Sequence, residues 1–185
     1  MTFYGSKEIA ASFRTVRKNT IIIAEEIPED KYPLSATPDT RTIAQTLAHI
    51  AIVTKMPLLL HKELRLSNLA GFDFMAAFGP IMAEEQKQRS KAELIELLTV
   101  EGEKFASWVE GVSEEFLAEI VTYPEGMMPP TKTRFEMLIA PKEHEMHHRG
   151  QLMVLQRMAG GKPHLTRRIE AMMEQMQAAQ AGNAA

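Results

Sequence analysis

The chain has no cysteine. Disulfides, thiolate metal ligands and a cysteine nucleophile of its own are therefore excluded, and the composition suits a reducing compartment. Strand signals are scarce too: β-branched residues seldom alternate with polar ones, and no Asn-Gly or Asp-Gly pair marks a hairpin. No run of Lys and Arg interleaves with aromatics, and the formal net charge is -3. The basic surface that neutralises nucleic-acid phosphates is thus missing, and no nucleic-acid partner is expected. The opening Met1-Thr2-Phe3-Tyr4-Gly5 runs into polar residues without the apolar core of a signal peptide, so a cytoplasmic location is expected. The most apolar stretch, Ile43 to Leu60, is interrupted by His49, Lys55 and Pro57. It falls short of the about 20 predominantly apolar residues of a membrane span, and a buried helix is expected instead.

What is present reads as one helical domain over residues 1–185, with 45% hydrophobic and 24% charged residues. A first helix is predicted from Ser6, with the stripe Ile9, Phe13, Val16, Ile23 and Ile27, stopping before Pro28. Thr42-Ile43-Ala44-Gln45 is a capping box that opens a second helix to about Lys62. That helix is apolar most of the way round, which predicts burial on several sides and a homodimer. A long connection, roughly 67–89, carries Phe72, Phe74 and Phe78. Ser90-Lys91-Ala92-Glu93 caps a third helix with Leu94, Leu97, Leu98, Phe105, Trp108 and Val109 inside, ending at Gly111. Thr133-Arg134-Phe135-Glu136 caps a fourth, running to Ala159, in which Pro141 predicts a local kink or opening. A last amphipathic helix spans about Thr166 to Gln180, fraying at Ala184-Ala185. The expected fold is all-α: a four-helix bundle with an additional C-terminal helix and a long connection between helices 2 and 3. The 13 methionines, at helical spacing, read as core filling rather than copper ligands.

Winding the fourth helix at about 100° per residue gathers Met137, Ala140, Pro141, Leu152, Leu155, Met158 and Ala159 in one apolar sector. Lys142, Glu145, Arg149, Gln156 and Arg157 gather opposite. His144 and His148 fall in the apolar sector, while His147 sits about 80° away, at the rim of any pocket. A neutral imidazole buries a donor and an acceptor, and the i, i+4 spacing brings two rings to one side where they can share an ion. His49, in an apolar turn with Val53 and Met56, is a third candidate. His61 and His164 read as solvated surface residues. Glu101 lies inside the third helix's stripe, either reaching solvent at its edge or orienting a ligand imidazole, and Gln151, one turn past His148, is a similar candidate.

The segments His144-Glu145-Met146-His147-His148-Arg149-Gly150-Gln151 and Leu47-Ala48-His49-Ile50 together resemble the DinB/YfiT-like family of metal-dependent proteins. The resemblance implies a four-helix bundle, commonly a homodimer, in which His49, His144 and His148 bind one divalent ion. Zinc or nickel is the family's usual ion. Imidazole ligands favour zinc and also accept nickel, manganese or iron. Family members include metal-dependent thiol transferases and a thiol-dependent isomerase. The resemblance therefore implies an enzyme that activates a low-molecular-weight thiol for transfer to a small electrophile, and the electrophile is expected to be held under the Phe72–Phe78 connection. With no cysteine in the chain, that thiol must arrive with a substrate. The chain departs from the family in its tail, residues 167–185, and in its Phe-rich connection, so the substrate is not carried over.

Metal-dependent hydrolysis is the near alternative, and a non-catalytic structural or sensor module the more distant one. Three histidines leave a coordination position open, which favours catalysis over a closed structural site. His144-Glu145-x-x-His148 also fits the zinc-protease pattern, with Glu170 available as a third ligand, but there the glutamate must reach the ion and a strand must bind the peptide. A di-iron carboxylate site would need a second Glu-x-x-His pair, which the sequence lacks.

Overall fold

Three long helices begin on reciprocal hydrogen bonds that their sequences foretell. In the computed structural model, which describes residues 4–182, the Thr42 hydroxyl accepts from the Gln45 amide and the Gln45 side chain accepts from the Thr42 amide. Ser90 with Glu93 and Thr133 with Glu136 repeat the arrangement. Each box satisfies two backbone donors that the first turn would leave free.

The helices are α1 (Ser6–Glu26), α2 (Ile43–Ile52), a single turn α3 (Lys55–Pro57) continued by a π-helical turn (Leu58–Glu63), α4 (Phe74–Ala83), α5 (Lys91–Glu110), α6 (Glu114–Ala118), α7 (Arg134–Met158) and α8 (His164–Gly182). α1, α2 with its continuation, α5 and α7 pack as the bundle. α8 is the additional C-terminal helix, and the expected fraying at Ala184-Ala185 lies outside the described residues. α7 runs through Pro141 as one helix and ends at Met158, two residues before Gly160, whose φ of 89° suits a residue without a Cβ.

The core forms two clusters along the bundle. One joins Ile23 and Ile27 of α1 to Leu47 and Ile50 of α2, Leu94 and Leu98 of α5, and Leu152 and Leu155 of α7. The other joins Ile9 and Phe13 to Leu58, Phe105, Val109 and Leu138. The stretch Ile43–Glu63 is long and apolar enough to cross a membrane by composition, but 67% of its most apolar window is buried inside this fold. Residues 46–52 of α2 are all buried within one chain.

The connection between α2 and α5 is more ordered than its sequence suggests. It contains α4 and a 3-10 turn, Glu84–Gln86, and its Phe72, Phe74 and Phe78 pack on one another and on Leu60, Leu69 and Val121. Two short strands escaped prediction: β1 (Ile120–Thr122) pairs antiparallel with β2 (Thr131–Thr133), Val121 facing Lys132. Three-residue strands joined by a long loop carry neither a period nor a tight turn that a sequence can display. The Leu69 amide donates to the Thr122 carbonyl, tying the connection to this hairpin.

Candidate metal centre

His49 on α2 and His144 and His148 on α7 converge, with one ring nitrogen of each within 4.8 Å of the others. The Nε2 atoms of His49 and His144 are 3.1 Å apart, and those of His148 and His144 are 3.2 Å apart. The outward nitrogens of two rings are held. His49 Nδ1 lies 2.8 Å from Glu85 Oε2, and His148 Nδ1 lies 2.7 Å from Gln151 Oε1. A carboxylate accepts only, so His49 carries its proton on Nδ1, and the Gln151 oxygen assigns His148 the same tautomer. Both Nε2 atoms are then bare acceptors aimed at His144. The His144 Nε2 can donate to one of them but not to both, and its Nδ1 is buried without a hydrogen-bond partner. If His144 Nε2 is protonated, one of the two acceptors is left without a donor; if it is bare, lone pairs face one another across about 3 Å in both contacts, and a cation relieves either arrangement.

The donor set fits a divalent ion. Tetrahedral zinc with Zn–N near 2.0–2.1 Å separates its nitrogens by about 3.4 Å, close to the two short spacings here. Among the described residues no fourth His, Asp or Glu joins the cluster. The imidazoles are neutral at pH 7. Burial, reinforced by His148 and His49, pushes His144 down to about 4. Burial lowers His49 and His148 as well, against the pull of Glu85 and Gln151.

Glu85 is the residue that sequence reasoning missed. Its carboxylate is buried on the 3-10 turn, with Oε2 on His49 and Oε1 2.5 Å from Arg41 Nε. An acidic pair within an aperiodic connection gives no sign that one member turns inward. Of the residues singled out beforehand, Gln151 touches His148 and also His147, whose exposed ring accepts from the Gln151 amide at 3.2 Å. Glu101 reaches no histidine; its Oε1 lies 3.6 Å from Lys55 Nζ.

Three expectations need correction. Glu145 does not lie on a solvated charged face: it is 0% exposed and paired with Arg17. That removes it from the ion as a protease-type general base, on firmer ground than helical phase. His61 is buried rather than solvated, its Nδ1 2.7 Å from Arg134 Nη1. His164 begins α8, half-buried, with Nε2 3.1 Å from Asn19 Oδ1.

A cavity of 780 Å³ borders the histidines' supports. Arg41, Glu85, Gln151, Thr46, Val154 and Leu155 contribute to its walls. No phenylalanine lines it, so the space beside the site does not lie under the Phe72–Phe78 connection.

Known structures share this architecture. A DinB-like protein of Bacillus subtilis superposes with a TM-score of 0.61 at 22% identity, covering 84% of this chain and 94% of that one. An uncharacterised protein of Clostridium difficile 630 gives 0.61 at 14% identity, covering 85% and 98%. A protein of Streptococcus pneumoniae gives 0.58 at 18% identity, covering 84% and 93%. Among curated proteins none matches the sequence. The DinB family itself matches residues 2–178, which include all three clustered histidines, and the chain belongs to that family.

Proposed function

We propose that the protein is a metal-dependent enzyme in which His49, His144 and His148 hold one divalent ion, zinc first, and that it transfers a small-molecule thiol to an electrophile. The observation that carries the proposal is the convergence of three neutral imidazoles, two of which have their outward nitrogens fixed by Glu85 and Gln151. Such outer partners orient a ligand ring and raise its basicity. When bound, the ion lowers the pKa of a thiol or a water, making a nucleophile available at neutral pH.

The residues supply the rest. Glu85 and Gln151 fix the tautomers of His49 and His148, so that neither ring must rotate or lose a proton to act as a ligand. The absence of a fourth protein donor among the described residues leaves room for a substrate atom. Val154 and Leu155 give the neighbouring cavity an apolar wall, and Thr46, Gln45 and Gln151 give it hydrogen-bonding groups. In the proposed reaction the thiol's proton leaves to solvent, its sulfur forms a bond to an electrophilic carbon, and the leaving group departs with the electron pair. The choice of a thiol over water rests on likeness to the family, and hydrolysis is the second reading. A cytoplasmic location is proposed with it, on the cysteine-free composition.

The test is to incubate zinc-loaded protein with a panel of low-molecular-weight thiols and a chromogenic electrophile, beside an ester and amide panel. Turnover that requires a thiol and is lost in His148→Ala supports transfer. Turnover without thiol transfers the proposal to hydrolysis. Stoichiometric metal with turnover of neither panel sinks the enzyme reading.

A further inference from the structure

The cavity beside the histidines is lined by a single cation, and that cation is half used. Arg41 donates from Nε to Glu85, while Nη1 and Nη2 make no hydrogen bond among the described residues. Its side chain is 40% exposed. Glu85 thus fixes the plane of the guanidinium and leaves two parallel donors free. The other charged groups lining the cavity are engaged: Glu85 divides its oxygens between Arg41 and His49, and Asp39 accepts from the Thr37 hydroxyl at 2.6 Å.

We propose that the cavity takes a small molecule bearing a carboxylate, which Arg41 grips through Nη1 and Nη2 while the apolar remainder lies along Val154 and Leu155. This rests on the metal-site reading for where the rest of the molecule reacts, but not for the grip itself. Two side-by-side N–H groups match the two oxygens of a carboxylate. One half-used cation, flanked by the Asp39 and Glu85 carboxylates, suits a monoanion better than a phosphate dianion. Gln45, Gln86 and Gln151 add neutral donors and acceptors without changing the charge. Since Glu85 bridges Arg41 and His49, the anchored end sits one carboxylate away from the metal centre. Arg41 is accordingly a specificity-determining residue.

The probe is 3-phenylpropanoate against its uncharged isostere 3-phenylpropanamide, with binding to zinc-loaded protein followed by calorimetry. The acid is expected to bind at least about tenfold more tightly than the amide. Arg41→Gln should erase the preference, and Arg41→Lys, which keeps charge but not the fork, should retain part of it. Metal content is measured on every variant. A preference that survives in Arg41→Gln means the carboxylate goes elsewhere and overturns the proposal. Equal affinities, or no binding of the acid by folded wild-type protein, overturn it too. If the wild-type protein takes up no metal, the metal-site reading fails by itself, and the same titration on metal-free protein still decides the role of Arg41.

Discussion

The Arg17 guanidinium holds the Glu145 carboxylate from across the bundle, its Nε 3.0 Å from both oxygens and its Nη2 3.0 Å from one of them. Both side chains are buried between the two apolar clusters, and the guanidinium also donates to the carbonyls of Leu98 and Ile50. One residue of α1 thereby pins α2, α5 and α7 at a single level. That level is the histidine cluster's, because Ile50 follows His49 and Glu145 follows His144. Gly102 makes the room: a Cβ there would stand 2.8 Å from Arg17 Nη1.

Breaking this pair from one side leaves a buried charge without its partner. Arg17→Met and Glu145→Leu are each expected to cost about 3–5 kcal/mol, and the double variant less than the sum. Urea unfolding of the two singles and the double measures the coupling. Strict additivity would mean that the residues do not act as a unit.

The ligand set makes a sharper division. His49→Ala, His144→Ala and His148→Ala should each abolish tight metal binding, whereas His147→Ala and His164→Ala keep it. His147 is exposed and points its Nε2 at Gln151 rather than at the cluster. Elemental analysis of the purified variants separates the groups. Metal lost in His147→Ala but retained in His148→Ala would contradict the geometry.

Glu85 and Glu101 form a matched contrast. Glu85→Gln keeps the shape of the carboxylate but weakens its hold on the His49 Nδ1–H and on Arg41. Metal affinity should fall about 10- to 100-fold, the usual cost of losing such a partner. Glu101→Gln, whose side chain faces Lys55, should leave affinity unchanged. Competition with a chelating indicator reads both, and equal losses would undo the assignment.

Much of the bundle was legible because its signals are local. The capping boxes at Thr42, Ser90 and Thr133 begin helices where the sequence places them, the α1 stripe is buried as spaced, and of the α5 stripe Leu94, Leu98, Phe105 and Val109 are buried while Leu97 and Trp108 are half-buried. The buried seam of α7 was harder. It advances by fours and threes through Arg134, Leu138, Pro141, Glu145, His148, Leu152 and Leu155. Arg134 and Glu145 occupy core positions but count as polar in any hydrophobic average. That tilts the apparent apolar face toward Ala140 and Met158, both exposed in the fold. Their partners, His61 and Arg17, lie far away in sequence, and no single helix's period reports a pair made across the bundle. The centre's histidines were legible for the opposite reason. His49 interrupts a helix that is otherwise apolar, and His144 and His148 repeat at one turn. Glu85 and Arg41 sit outside periodic segments, where sequence offers no phase to read.

The last prediction concerns acid. His61 is 1% exposed, and its Nδ1 must accept from the always protonated Arg134. Protonating the ring would bury a second cation against the first, and burial, with Arg134 adding to it, pushes its pKa down to about 4. In the unfolded chain the same histidine titrates near its ordinary value of about 6.5. Between these values the unfolded state holds more protons than the folded one, so stability rises with pH across that window and falls on acidification. The contribution is complete above about pH 6.5 and drains away toward pH 4, and the loss from pH 7 to pH 5 is about 2 kcal/mol for this group. His61→Gln keeps an acceptor for Arg134 without a titrating proton. Urea unfolding of both proteins, metal-free, at pH 7 and pH 5 isolates the term, since His144 titrates in the same range in both and cancels. The variant should lose about 2 kcal/mol less than the wild type over that interval. Equal losses would show that the buried His61–Arg134 contact does not set the acid sensitivity of the fold.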